Sequence, residues 1–294
     1  MGARDFPAAM PPPPGPAGDA AREYAFSGAD FERVRRLIYA RAGINLNDTK
    51  QHMVYSRLSR RLRALSIDSF ATYLDRLEHE AGFASTELQQ FVNSLTTNLT
   101  AFFREAHHFD VLARFVAGLG SAPLRVWCSA ASTGEEPYSI LMTLVEALGA
   151  GTSARLLATD IDTNVLDTAR RGVYAQESAR ACGEERLRRF FQRGAGDNAG
   201  MVRVKPELSR MVEFAPLNLL DESWPQLRKF GPQVDVVFCR NVMIYFDKPT
   251  QRAILGRIAQ VLRPGGLLLV GHSENFTDCR DWFVLRGKTV YARV

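Results

Sequence analysis

Residues 124–161 read LRVWCSAASTGEEPYSILMTLVEALGAGTSARLLATDI, which is the pattern of a β-α-β unit. The apolar residues 124–128 predict a buried strand, and the small residues 129–134 predict a tight turn. A helix follows, because apolar residues recur at helical spacing over 140–148. Arg155–Asp160 predicts a second strand that ends in an acid. In doubly wound folds, the crevice at the carboxyl ends of such strands binds a nucleoside, with the acid on the ribose hydroxyls.

This unit alone does not distinguish a nucleoside site from an ordinary α/β core. Its turn carries one glycine, Gly134, and so lacks the G-x-G-x-x-G spacing of a dinucleotide site. Many functions share the fold, so both interpretations stay open on these residues. Glu135 and Asp160 are therefore candidates that need support from the rest of the chain.

The composition is that of a globular protein with room for one large or two ordinary domains. The chain has 294 residues, of which 46% are hydrophobic and 23% are charged. No apolar run approaches the roughly 18 residues of a membrane helix, so membrane insertion is not expected. Residues 1–24 are rich in proline and predict a disordered leader rather than an export signal.

The spacing of cysteine and histidine argues against a metal site. The four cysteines form no C-x-x-C pair, and the five histidines do not complete a zinc-ligand pattern with them. Thiols of this kind indicate a reduced, cytoplasmic protein. The net charge of +5 suggests an anionic partner without identifying it.

The chain is predicted to contain a helical domain followed by an α/β domain. Residues 25–95 read as helices alone, the last of them predicted to begin at Ser85, and residues 96–294 read as α/β. Within the second domain, Thr163 is expected to cap the helix after the second strand. Residues 172–210 interrupt the alternation of strands and helices and predict an inserted β-subdomain.

The α/β domain is predicted to end in a hairpin. Two apolar, β-branched runs flank residues 286–288, which predicts an antiparallel pair at the edge of the sheet. A doubly wound sheet that ends this way is typical of class I S-adenosylmethionine methyltransferases.

The second predicted helix carries a run of positive charge. The sequence has no acid between Asp48 and Asp68, and its arginines fall outside the predicted apolar stripe of the helix. These arginines are Arg57, Arg60, Arg61 and Arg63. They predict a basic outward face, which is either an ordinary solvated surface or a docking face for an acidic helix or a nucleic acid.

Four segments together closely resemble the CheR family of chemotaxis receptor methyltransferases. They are TTNLTAFFRE at 96–105, CSAASTGEEPYS at 128–139, FCRNVMIYF at 238–246 and GHSEN at 271–275. The resemblance covers essentially everything after residue 25, including the helical region and the insertion.

The resemblance implies an α/β fold of the class I S-adenosylmethionine methyltransferase type. Its parts would be a Rossmann-like doubly wound sheet with a C-terminal antiparallel hairpin, a small all-α N-terminal domain and an inserted β-subdomain. It implies S-adenosylmethionine as cofactor, no metal, and methylation of glutamate carboxylates on chemoreceptors, the methyl-accepting chemotaxis proteins, for sensory adaptation. The implied partner is the cytoplasmic helical domain of those receptors, with a receptor C-terminal peptide as a second contact and no nucleic acid.

The resemblance also implies roles for individual residues. The implied cofactor-binding residues are Asn98, Thr100, Arg104, Glu135, Asp160, Asn218, Leu219, Arg240 and Asn241. Among them Asp160 would bind the ribose hydroxyls, and Asn218 with Leu219 would lie against the adenine. The implied catalytic residues are Arg104 and Tyr245. The implied receptor-docking residues are Arg57, Arg60, Arg61 and Arg63 together with Gly194 and Gly196 of the insertion.

The expected chemistry needs no general base. A carboxylate is already ionised at neutral pH, so the enzyme has to orient it and remove its water. Arg104 or Arg240 could hold one carboxylate oxygen, and Tyr245 could donate a hydrogen bond to it. Two alternatives remain: a methyltransferase of the same fold that acts on nucleic acid, and a cofactor-binding adaptor that has lost catalysis.

Overall fold

The structure is a computed structural model that describes residues 23–119, 123–276 and 279–294. The predicted leader lies outside the described residues except for Glu23 and Tyr24. In the described part of the chain, every helix is too short or too polar to cross a membrane.

The first domain is a bundle of helices around one apolar core. Its helices are α1 (Gly28–Ala42), α2 (Gln51–Leu65), α3 (Phe70–His79) and α4 (Ala81–Leu95). The helix α4 begins four residues before the predicted Ser85. The reason is tertiary: Phe83, in the added turn, packs edge-on against Tyr73 of α3, with ring centroids 6.1 Å apart.

The second domain is a doubly wound sheet with helices on both faces. Within the described residues, seven strands are ordered β6-β2-β1-β7-β8-β10-β9. They are β1 (Arg125–Cys128), β2 (Arg155–Asp160), β6 (Val212–Pro216), β7 (Val234–Cys239), β8 (Leu262–Val270), β9 (Phe283–Gly287) and β10 (Val290–Arg293). The five neighbouring strands β6, β2, β1, β7 and β8 are parallel. In contrast, β10 pairs antiparallel with both β8 and β9. The predicted fold class and C-terminal hairpin are confirmed.

Five longer helices flank this sheet. They are α5 (His107–Ala117), α6 (Glu135–Leu148), α7 (Thr163–Arg171), α11 (Pro225–Phe230) and α12 (Lys248–Val261). Asp162, not the predicted Thr163, caps α7, because its carboxylate accepts from the backbone N–H groups of Asn164 and Val165. Thr163 is the first residue inside the helix.

The insertion forms a small sheet that joins the main core. Three of the described strands, β3 (Val173–Ala175), β4 (Phe191–Arg193) and β5 (Met201–Val204), are ordered β3-β5-β4 and pair antiparallel. Short helices lie around them: α8 (Gln176–Ala179), α9 (Glu184–Phe190) and α10 (Pro206–Ser209). Phe191 packs on Phe102 of the α/β domain at a centroid distance of 5.7 Å, so the insertion is fixed to the sheet beneath it.

Candidate functional site

A cavity lies where the carboxyl ends of β1, β2 and β7 meet the helical domain. The helical domain contributes an apolar wall of Ala42, Ile44, Leu46, Met53 and Leu95. The α/β domain contributes the small residues after β1 and the ends of the neighbouring strands. Every predicted catalytic or cofactor-binding residue lines this cavity except Glu135: Asn98, Thr100, Arg104, Asp160, Asn218, Leu219, Arg240, Asn241 and Tyr245.

Asp160 ends β2 with its carboxylate almost buried, at 8% exposure. One carboxylate oxygen accepts from the backbone N–H of Ser132 at 2.8 Å, and the other accepts from the N–H of Asp162 at 2.9 Å. Burial raises the pKa of Asp160 to about 6, although these backbone hydrogen bonds oppose the rise. Each oxygen keeps a second lone pair, so the group can accept hydrogen bonds from a ligand at neutral pH.

Asp162 is a second buried carboxylate, at 2% exposure, that the sequence interpretation missed. One of its oxygens caps α7, and the other accepts from Thr96 Oγ1 and from Asn98 Nδ2, both at 2.7 Å. It therefore holds Asn98 against the cavity. The signal in the sequence was an aspartate immediately before a helix of high amphipathicity, which is a usual N-cap residue.

The side chains of the adjacent residues Glu135 and Glu136 have different surroundings. The Glu135 carboxylate accepts from Thr133 Oγ1 at 2.6 Å, and burial raises its pKa. Glu136 lines the cavity instead and is 8% exposed. Gly134 caps α6 with φ 102°, and a Cβ there would lie 2.6 Å from the hydroxyl oxygen of Tyr174, so this turn requires glycine.

Arg240 is held in a buried ion pair beside the cavity. Its guanidinium, with 0% side-chain exposure, lies 2.6 Å from Glu136 and 3.6 Å from Glu105. It also donates to the backbone carbonyl of Arg104. These contacts make Arg240 a support for the segment that carries Arg104. Its Nε is buried without a hydrogen-bond partner, and its role in holding the cofactor or a substrate carboxylate stays a prediction.

Glu105 joins this network to the segment after β8. Burial alone would raise its pKa, but hydrogen bonds from His272 and Asn241 and the charge of Arg240 bring it down to about 2. His108 lies beside it with no exposed side-chain area, and burial first, then the charge of Arg240, lowers its pKa to about 3. At neutral pH Glu105 is therefore charged and His108 is neutral.

Arg104 and Tyr245 remain available to the cavity. Arg104 Nη1 donates to the carbonyl of Leu99 at 2.8 Å, and the side chain is partly exposed. Tyr245 lies in a short 3₁₀ helix, Met243–Tyr245, and its backbone carbonyl accepts from Asn45 of the helical domain at 2.9 Å. Thr100, Asn218 and Asn241 are also partly exposed, whereas Leu219 is buried at 5%.

The basic outward face predicted on α2 is only half present. Arg61 pairs with the buried Glu87 of α4 at 2.5 Å, and Arg57 donates to the carbonyl of Thr96. Arg60 and Arg63 are exposed, and Arg63 forms a surface ion pair with Glu23 at 3.2 Å. The prediction counted acids along α2 alone and missed the acid that a neighbouring helix supplies.

Gly194 and Gly196 lie in the turn between β4 and β5. A Cβ at Gly194 would collide with the carbonyl oxygen of Asn198. Gly196 has φ 57°. Their docking role stays a prediction.

Two family models together match nearly all of the described chain. The all-alpha domain of CheR methyltransferases matches residues 29–96. The S-adenosylmethionine-binding domain of CheR methyltransferases matches residues 98–292.

Relatives from several bacteria are similar over most of their length. A chemotaxis protein methyltransferase of Escherichia coli (strain K12) is 53% identical over 269 residues, covering 91% of this chain and 92% of the relative. Chemotaxis protein methyltransferase 2 of Pseudomonas aeruginosa is 50% identical, covering 92% and 95%. A probable chemotaxis protein methyltransferase of Rhizobium etli is 38% identical, covering 87% and 96%.

Proposed function

The chain belongs to the CheR methyltransferase family, and we propose that it methylates glutamate carboxylates of chemoreceptors, forming methyl esters for sensory adaptation. The observation that carries this proposal is the cavity between the two domains, because all the implied catalytic and cofactor-binding residues except Glu135 line it and they come from four separate segments of the chain. The names of the relatives support a methyltransferase that acts in chemotaxis. That the methyl acceptor is a glutamate side chain is what we propose beyond those names.

The donor set of the cavity fits an adenosyl ligand. Asp160 offers two carboxylate oxygens with free lone pairs to hydroxyl donors, and apolar side chains from both domains, such as Ile44 and Leu219, offer a surface for a base. Asn98, Thr100 and Arg104 would hold the amino-acid end of the ligand. When bound, S-adenosylmethionine supplies a methyl group that the positive sulfur has already activated.

The residues of the chain act by orientation and by removing water. The substrate carboxylate is ionised at neutral pH, so no side chain has to take a proton from it. Arg104 orients the carboxylate through its guanidinium, and Tyr245 donates a hydrogen bond from its hydroxyl. Arg240 donates to the backbone carbonyl of Arg104 and so positions the segment that carries Arg104. Closure of the cavity by the helical domain excludes water around the reacting oxygen.

Docking uses surfaces on both sides of the cavity. Arg60 and Arg63 of α2 are exposed and positive, which suits the acidic helices in the cytoplasmic domain of a receptor; Arg63 would exchange its surface ion pair with Glu23 for such a contact. The turn that holds Gly194 and Gly196 is the proposed contact for a receptor C-terminal peptide. Because both proposed contacts are with the cytoplasmic part of a receptor, the proposal includes a cytoplasmic enzyme.

The test is transfer of a tritiated methyl group from S-adenosylmethionine to chemoreceptor-containing membranes. The label should appear on the receptor and be released as methanol by mild alkali, because a methyl ester is base-labile. Arg104→Ala should abolish labelling, while Arg114→Ala, which removes an exposed arginine of α5, should not. A chelator should leave the rate unchanged, since no metal is expected to take part.

Alkali-stable label would contradict the proposal. Label that appears on added nucleic acid, with binding that weakens steeply as salt rises, would favour the nucleic-acid alternative. Cofactor binding without any transfer would favour the adaptor.

A further inference from the structure

Glu274 is the acid of the segment GHSEN at 271–275, which follows β8, and it is buried at 4% exposure. One of its carboxylate oxygens accepts from the backbone N–H of Gly271 at 2.6 Å and from that of Asn241 at 3.0 Å. The other oxygen accepts from the backbone N–H of Met243 at 2.7 Å. Both oxygens therefore accept hydrogen bonds, which is the pattern of an ionised carboxylate.

The turn at 240–243 after β7, here the Asn241 turn, forms a concavity around this carboxylate. Asn241 has a left-handed backbone with φ 56°, which is uncommon for a residue other than glycine. Backbone N–H groups that converge in such a turn make an anion-binding site. Burial raises the pKa of Glu274, and the hydrogen bonds from the backbone oppose that rise. The side chain of Glu274 thus supplies the anion that this concavity suits.

The Asn241 turn leads into the segment that carries two cavity residues. Asn241 and Tyr245 both line the cavity. Between them, the N–H of Met243 donates to Glu274, and the carbonyl of Met243 accepts from Gln251 of α12 at 2.8 Å. The backbone is therefore held on both sides of Met243, and Glu274 holds the side nearer Asn241.

Gly271 allows the close approach of the two segments. A Cβ at Gly271 would collide with the side-chain nitrogen of Asn241 and would lie 2.9 Å from its backbone nitrogen. The glycine of GHSEN leaves space for Asn241, and the acid of GHSEN binds its N–H. Two residues of one short segment therefore act on the same turn.

We propose that Glu274 is a positioning residue, whose carboxylate fills the concavity of the Asn241 turn and so fixes Asn241 and Tyr245 toward the cavity. Glu274 is not among the residues that line the cavity, so it acts through these two neighbours. The inference rests on the proposed function, because the roles of Asn241 in cofactor binding and of Tyr245 in catalysis belong to that proposal.

The test is Glu274→Gln, which keeps the size of the side chain but replaces one acceptor oxygen with an NH2 donor. A backbone N–H of the turn then loses its charged partner, so kcat for methyl transfer to receptor membranes should fall at least about tenfold. The Kd of S-adenosylmethionine, measured by calorimetry, should rise about fivefold. The receptor KM should stay within about twofold of wild type, because the proposed docking surfaces lie elsewhere.

Amide hydrogen exchange gives a readout that does not depend on activity. Exchange in the peptide 240–246, measured by mass spectrometry, should be at least about tenfold faster in Glu274→Gln, because the carboxylate no longer holds the turn closed. Exchange in the helical domain should be unchanged.

Glu87→Gln is the matched control. It is the same substitution at a glutamate that is also 4% exposed, but Glu87 lies on α4, where it binds Arg61 and Tyr73. This variant should lose stability while kcat and the cofactor Kd stay within about twofold of wild type. Equal losses of kcat and affinity in both variants would mean general destabilisation and would overturn the proposal.

Gly271→Ala perturbs the same turn while the carboxylate stays in place. The added Cβ displaces Asn241, so this variant should also lower kcat and raise the cofactor Kd. Wild-type values of both constants in Glu274→Gln overturn the proposal, as do wild-type values in Gly271→Ala where Glu274→Gln does not fold. A wild-type enzyme that forms no base-labile label on receptors contradicts the proposed function instead, and the cofactor Kd and amide exchange still measure the effect of Glu274.

Discussion

Asp160 shows how one side chain can be both buried and ready to bind. Removing a carboxylate from water favours its neutral form, and here the pKa rises to about 6. Two backbone N–H groups compensate by donating to the two carboxylate oxygens. The group is therefore mostly ionised at neutral pH, yet it lies close to the point at which it would lose its charge.

Cofactor affinity should fall as the pH drops through the pKa of Asp160. The ionised carboxylate is the better acceptor for ribose hydroxyls, and the ionised fraction falls about tenfold between pH 7.5 and pH 5. The Kd of S-adenosylmethionine, measured by calorimetry, should therefore weaken by roughly that factor over this range.

Asp160→Ala is the control for this pH dependence. It should weaken binding at least about tenfold at neutral pH, given the roughly 1.5–3 kcal/mol of a charge-assisted hydrogen bond. The remaining affinity should vary little with pH. If the variant binds as tightly as wild type, Asp160 is not part of the site.

At the scale of helices and strands, the turn between β2 and α7 connects the two domains. Its Asp162 caps α7 and binds Thr96 and Asn98, and Thr163 exchanges hydrogen bonds with Asn93 at the end of α4. The start of α7 and the linker between the domains therefore both hydrogen-bond to the carboxylate of Asp162. A change there should affect stability and ligand binding together.

Asp162→Ala should destabilise the protein by roughly 1–3 kcal/mol, because it removes a helix cap and leaves buried donors unpaired. It should also weaken S-adenosylmethionine binding, since Asn98 loses its anchor. Denaturant unfolding and calorimetry measure the two effects.

Ser69→Ala is a matched control for this variant, because it removes the side-chain cap of α3 in the helical domain. It should cost about 1 kcal/mol of stability without changing cofactor affinity. Equal losses of affinity in both variants would mean that general destabilisation, and not the Asn98 anchor, is responsible.

The contact of α6 with the residue after β7 depends on the pair of Glu136 and Arg240. Glu136→Ala should destabilise the protein by roughly 3–5 kcal/mol, because it leaves Arg240 buried without its closest acid. The double variant Glu136→Leu with Arg240→Met should regain most of that free energy of unfolding, since apolar groups can replace a buried pair.

Methyl transfer should stay low in the double variant. Without Arg240 the carbonyl of Arg104 loses its donor, so the segment that carries Arg104 is no longer held. Full recovery of activity along with stability would show that Arg240 does not position Arg104.

For the molecule as a whole, the cavity exists only because the two domains pack together. Ile161 packs against the helical core, Asn218 donates to the carbonyl of Arg41, and Tyr39 donates to Asp247 at 2.6 Å. Gly43 lies in this interface with φ 67°. A Cβ there would lie 2.9 Å from Leu220 and 3.0 Å from Phe246.

Gly43→Ala should therefore separate the domains slightly. Alanine at a left-handed position costs about 1–2 kcal/mol, and displacement of Phe246, which lines the cavity, should weaken S-adenosylmethionine binding as well. Thermal unfolding with and without the cofactor measures both effects. Gly82→Ala is the control: nothing lies within 4 Å of its added Cβ, and in α4 it should be neutral or stabilising by up to about 1 kcal/mol.

Residues close together in the chain were enough to predict the elements, and the family resemblance implied most of the residues that line the cavity. The β-α-β unit, the acid at the end of β2 and the C-terminal hairpin follow from periodicity and turn residues, which are local properties. The four matching segments then identified the family, and all the implied catalytic and cofactor residues but Glu135 line one cavity.

Contacts between distant segments account for the side-chain positions that local sequence patterns could not predict. Glu87 of α4 neutralises Arg61 of α2, Thr96 turns Arg57 inward, and Glu136 rather than Glu135 faces the cavity. Each result depends on which charged groups folding brings within a few ångströms. A one-dimensional pattern reveals which residues carry charge and how they repeat, but a buried charge is stable only beside its partner, and here that partner lies on another element.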